Sequence, residues 1–243
     1  MDRNIAFLEL KYGNIYGGYP NYYAISEASL LVFELDSNKI FLETFANNAD
    51  VNIIHVSSEV NELGNTIGKK REVINMKTGR QTEYDEEFRM DEQSLDNAFY
   101  KLRPSRRFVK GFFMKNLRKY NVRDIITFDG RRDIFLVEKS QVEFRYQRIH
   151  DVQKEITEET NYLFSLNKLA KVINFQQDMS FLRSNNLQYR LHPIAARQIY
   201  PGSAAFDAAR LLMVHNEFKE HKDDFLLKAA LLVNKIEMAN NNK

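Results

Sequence analysis

The sequence predicts an α/β domain in which helices flank a mixed sheet, with a polar segment or hairpin inserted into it. Three observations carry this expectation. β-Favouring apolar runs crowd the first fifth of the chain, and runs with helical spacing fill its last third. Between them, Ile125-Ile126-Thr127-Phe128 is a short apolar run of the kind that buried strands make.

In chain order, residues 5–10 read as a buried first strand, and residues 14–23, rich in Gly, Asn and Tyr and containing Pro20, as an irregular loop. Residues 28–35 and 40–45, joined by Asp36-Ser37-Asn38-Lys39, read as a hairpin. The first fifth therefore holds three strands, antiparallel to one another. Residues 59–93 are polar, with Lys77-Thr78-Gly79-Arg80 as a turn between β-like flanks, and are expected to be an inserted hairpin or a mobile loop. Residues 94–120 have helical character, with an interruption expected near Pro104 because proline lacks the N–H a helix needs. Asp129-Gly130-Arg131-Arg132 turns the chain into a helix starting near Asp133. The alternation in Val142-Glu143-Phe144-Arg145-Tyr146 predicts a strand over 142–152. Helices are expected near 165–174, over 203–219 and over 222–238, with a disordered Asn-rich tail at 239–243.

A chain of 243 residues that is 44% hydrophobic has core enough for one large domain. With 35 basic against 33 acidic residues, the net charge of +2 is too small to imply binding to nucleic acid or an anionic membrane by itself. The absence of cysteine excludes disulfides, zinc ribbons and a thiol nucleophile. Only a handful of apolar residues precede Glu9, too few for a signal-peptide core or a membrane span, so a cytoplasmic protein with no membrane partner is expected.

The functional question turns on the first strand. Alternate residues of a strand share a face, so Glu9 and Lys11 form a same-face pair. Further acidic candidates are Asp133, after the central apolar run, and Asp207, in Gly202-Ser203-Ala204-Ala205-Phe206-Asp207. This order of elements and acidic positions resembles the DEDDh 3′–5′ exonucleases, and the resemblance spans nearly the whole chain. It implies an RNase H-like fold and a single exonuclease-like domain over 1–238. In that family Asp-x-Glu on the first strand, an Asp after a central strand and a late His-x4-Asp hold two metals and position a water for phosphodiester hydrolysis. By this resemblance Glu9 takes the Asp place and Lys11 the Glu place, Asp133 and Asp207 are kept, and Gly202 stands where the general-base His belongs.

Two-metal hydrolysis needs several carboxylates around cations about 3.5–4 Å apart. An ammonium about 4 Å from Mg²⁺ is opposed by roughly 8 kcal/mol at an effective dielectric near 20. Loss of the His removes a contribution of about 10²–10⁴ in rate. The expectation is a catalytically inactive member that needs no cofactor, with Lys11 sitting among Glu9, Asp133 and Asp207 as an internal substitute for metal. One alternative is an active exonuclease with an altered shell, in which Glu9, Asp133 and Asp207 bind Mg²⁺ or Mn²⁺ and a water or His192 acts as base.

Arg106, Arg107 and Lys110 belong to a basic run interleaved with Phe108, Phe112 and Phe113, a pattern that fits either single-stranded nucleic acid or a solvated helix face. Arg131 and Arg132, just before Asp133, are placed to meet a phosphate. Tyr12, Tyr16, Tyr19, Tyr22 and Tyr23 form a stacking platform, a partner surface or a packed loop. The expected role is recognition of a nucleic-acid 3′ end or of a protein partner; the remaining alternative is a structural or interaction protein, such as a homodimer through the tyrosine loop or the basic helix.

Overall fold

The first strand organises the molecule. In a computed structural model that describes residues 4–241, β1 (Asn4–Ile15), β2 (Tyr23–Glu34) and β3 (Lys39–Ala46) form an antiparallel meander. A second meander follows, β4 (Asn52–Val60), β5 (Thr66–Asn75) and β6 (Gln81–Glu83). The chain then runs through α1 (Glu92–Lys119), β7 (Val122–Thr127), α2 (Arg131–Lys139), β8 (Arg148–Asp151), α3 (Val152–Thr160) and α4 (Leu166–Val172). A small antiparallel sheet of β9 (Gln176–Gln177), β10 (Phe181–Arg183) and β11 (Gln188–Arg190) precedes α5 (Pro193–Gln198), α6 (Ala204–Glu220) and α7 (Lys222–Asn241). The architecture is mixed α/β, with a curled, largely antiparallel main sheet.

β2 covers one side of β1, while the other side changes partner along its length. Asn4 to Phe7 pair in parallel with β7, which pairs in turn with β8; Asn14 and Ile15 pair antiparallel with β4. Strand alternation divides the core between the two faces. Phe7, Leu31 and Ile126 pack with Ala208, Leu211 and Leu212 of α6, joined by Ile156, Leu169 and Phe225 from α3, α4 and α7. Leu8, Leu30 and Ile125 face the other way, against Val109 and Phe113 of α1 and Leu136 and Val137 of α2.

Several boundaries depart from the sequence expectation. β1 continues five residues past Leu10, because Gly13 lets β4 approach: a Cβ there would lie 2.2 Å from the Ile54 carbonyl oxygen. The polar segment expected at 59–93 belongs to the three-stranded meander that begins already at Asn52, and the base of that meander is anchored by Ile53, which is buried with Ile15, Ala98 and Leu102. Pro104 lies inside α1 without ending it. The carbonyl that its missing N–H would have engaged belongs to Tyr100, which lies on the exposed side of α1.

Residues 142–147 are no strand. Val142 is buried and Phe144 partly buried in the helix-side core, so the alternation reflects packing, while ladder pairing starts only at Arg148. α2 starts two residues before Asp133, and α3, α5 and the small sheet were not anticipated. Of the tail expected at 239–243, α7 includes residues up to Asn241; residues 242 and 243 lie outside the described residues. Among the described residues no helix is long and apolar enough to cross a membrane.

Candidate functional site

Where β1 exchanges β7 for β4, residues 8–13 have β2 on one side and no strand on the other. Such a change of neighbour opens a crevice at the sheet. Glu9 and Lys11 lie in it, on the face that Phe7 presents to α6. Two helices deliver the other carboxylates: Asp133 stands in the first turn of α2, directly after β7, and Asp207 in the first turn of α6. The Asp133 carboxylate accepts a hydrogen bond from the Leu10 backbone N–H, taking the place of a strand partner.

Lys11 Nζ meets Asp207 Oδ2 at 2.5 Å, with both side chains largely buried. Arg210, one helical turn beyond, approaches Asp207 Oδ1 at 3.4 Å and donates to Asn167 Oδ1 at 2.8 Å. Asp207 is thus held between two cations. Glu9 has no such partner: its Oε1 is enclosed and without a hydrogen bond. Burial, reinforced by the nearby Asp133 and Asp207 charges and opposed by Lys11, holds the Glu9 carboxyl well above its ordinary range. Burial likewise pushes Asp133 up to about 7, against the Leu10 hydrogen bond and the Lys11 charge. At neutral pH the cluster therefore carries much less negative charge than its three carboxyls suggest.

Two neighbours complete the site. Glu27, opposite Lys11 in the β1–β2 register, accepts at 3.1 Å from the Ala204 N–H, while Ser203 caps α6 by accepting from Phe206 N–H. These contacts fix the start of α6 and hence Asp207. His55 on β4 lies within reach of the Lys11 and Glu27 charges; burial and Lys11 hold its imidazole below the ordinary value, so it is neutral at pH 7. Among the described residues no group of three or more His, Asp or Glu side chains is arranged to hold a metal ion.

The structure thus brings Glu9, Lys11, Asp133 and Asp207 together. Gly202 lies in the exposed turn before α6 at φ +91°, a left-handed conformation that suits glycine on backbone grounds alone, and a side chain there would meet open space. His192 is the exposed N-cap of α5, its Nδ1 accepting from Ile194 N–H at 3.3 Å. Arg131 and Arg132 open α2; Arg132 lies 4.9 Å over the Tyr23 ring and donates to its hydroxyl at 3.0 Å.

The other basic candidates are divided. Arg107 is exposed on α1, Arg106 lines a small cavity with Tyr23 and Lys139, and Lys110 lines a separate, larger one with Arg123. In the tyrosine loop Tyr16 stacks on Phe88 at 4.6 Å and Tyr22 packs on Phe99, so much of its aromatic surface is engaged internally. Glu27, His55, Asn167 and Arg210 were missed from sequence. The Asp207/Arg210 spacing of three was a readable signal; His55 offered none, because only the β1–β4 pairing brings it near. Compared with protein-family models, with curated proteins and with solved structures, the chain matches none.

Proposed function

We propose that this chain is a catalytically inactive, exonuclease-like domain of RNase H-like architecture that recognises a nucleic-acid 3′ end without cleaving it. The run of strand, hairpin, helix, short strand, helix and strand, with the β4–β6 meander between hairpin and helix and acidic residues on the first strand, after a central strand and on a late helix, supports the kinship with DEDDh exonucleases. The observation that carries the loss of hydrolysis is the Lys11 ammonium against Asp207, inside the cluster where a metal would have to sit. A divalent cation there would face Lys11 and Arg210 and find Glu9 and Asp133 reluctant to ionise. Arg131 and Arg132, the first residues of α2 just before Asp133, would meet the phosphate nearest the 3′ hydroxyl.

The test uses labelled single-stranded DNA and RNA with purified protein in Mg²⁺ or Mn²⁺. The expected result is binding that weakens with salt and with a blocked 3′ end, and no shortening of the strand. Shortening abolished by Asp133→Ala would establish the active exonuclease instead. A lack of salt-sensitive binding to either oligonucleotide would turn the reading to recognition of a protein partner.

A further inference from the structure

At the end of β7 away from the carboxylate cluster, the last turns of α1, the start of β7 and the irregular segment 141–147 line an open cavity of about 600 Å³. That size falls in the range of small-molecule sites, about 300–1,000 Å³. Leu117 and Val122 are buried in its floor. Lys110, Arg118, Arg123 and Arg145 stand exposed around its rim.

The charge on this rim is unbalanced. Among the described residues Glu143 is the one carboxylate in the lining and pairs with Arg145, and none of Lys110, Arg118 and Arg123 has an ion pair. The α1 C-terminus calls for cations near it, but a helix end carries only about half a negative charge. Three unmatched cations exceed that demand. Apolar surface stands beside them, with Met114 45% exposed and Tyr146 75% exposed. Gln141, which also lines the cavity, adopts φ +63°, a left-handed conformation uncommon for a residue other than Gly, Asn or Asp.

We propose that this cavity binds a free nucleoside triphosphate. Lys110, Arg118 and Arg123 hold the polyphosphate, the Tyr146 ring and Met114 take the face of the base, and the amide of Gln141 offers its edge both a donor and an acceptor. A polyanion alone would leave the apolar surface uncovered, and an uncharged ring system would leave the cations unmatched. The site is independent of the 3′-end reading, since it shares no residue with the carboxylate cluster.

Calorimetric titration of the full chain with ATP tests the assignment, with inorganic tripolyphosphate as a charge-only probe. ATP is expected to bind, tripolyphosphate to bind at least about tenfold more weakly, and Arg118→Ala/Arg123→Ala to weaken ATP by about tenfold or more. Tyr146→Ala is expected to weaken ATP while leaving tripolyphosphate unchanged. The melting temperatures of the unliganded variants, expected to match the parent, report on folding. Absence of ATP binding, equal affinity for the two probes, or unchanged ATP affinity in the double variant would each overturn it.

Discussion

The two ends of β7 treat charge in opposite ways. At its C-terminal end Glu9, Asp133 and Asp207 are drawn into the crevice beside β1, where Lys11 and Arg210 answer Asp207 and burial favours the protonated forms of Glu9 and Asp133. At its N-terminal end Lys110, Arg118 and Arg123 surround an open cavity and have no internal counter-ion among the described residues. Charge in the crevice is costly, so the protein neutralises it by pairing or by protonation; charge at the rim is solvated and remains available. The first region is coupled to stability, and the second is free to be used for binding.

Reversing the charge of Lys11 should break this contrast most severely. Lys11→Glu places a fourth carboxyl against Asp207 and removes a partner from a largely buried ion pair; because repulsion adds to the lost attraction, the expected loss is about 5 kcal/mol, the upper end of the range for such pairs. Urea unfolding at pH 7 measures it. Partial recovery in Mg²⁺ or Mn²⁺ would reveal a latent metal site; recovery of the full loss would show that Lys11 stands directly in for a cation.

Titration should show the next largest effect. The folded Asp133 carboxyl, at about 7, lies above its unfolded value of about 3.9, so the native state binds the extra proton between those limits. Its contribution is present below about pH 4 and is lost as pH rises through 7. Asp133→Asn should remove a fall in stability of up to about 4 kcal/mol across that window, seen as a flatter pH profile of unfolding free energy.

A smaller effect is expected at Glu9. Because its carboxyl is held well above the ordinary range, Glu9→Gln mimics the form the site favours and should change stability at pH 6 by less than about 1 kcal/mol. A large loss would mean that the ionised form is required there. The smallest effect belongs to the rim: Arg118→Ala and Arg123→Ala should each alter unliganded stability by less than about 0.5 kcal/mol. A greater loss would show that these cations support the fold after all.

Much of this was legible in the chain because its signals are local. The β2–β3 hairpin follows from two β-favouring runs around Asp36-Ser37-Asn38-Lys39, and the same-face relation of Glu9 and Lys11 follows from strand geometry. Other parts depend on packing that leaves no local trace. Val142 and Phe144 alternate like a strand yet pack against helices without a partner, and α3 buries only Val152 and Ile156. Asp151 accepts from the N–H groups of Gln153 and Lys154, a cap signal that the preceding alternation obscured. β9 to β11, two or three residues each, are too short to show a period. The small opening in β1 that makes the site cannot be read from any one segment, since it exists only where β7 and β4 fail to meet.

The contact between Lys11 and Asp207 joins residues 196 apart in the chain. At about 5–20 residues per second, a ribosome that has made Lys11 needs roughly 10–40 s more to reach Asp207. Throughout that interval the nascent sheet lacks the helix that covers Phe7 and supplies the counter-charge to Lys11. The crevice therefore closes only after α6 has been made, and chains released before α6 should be the ones that quality-control proteases find open.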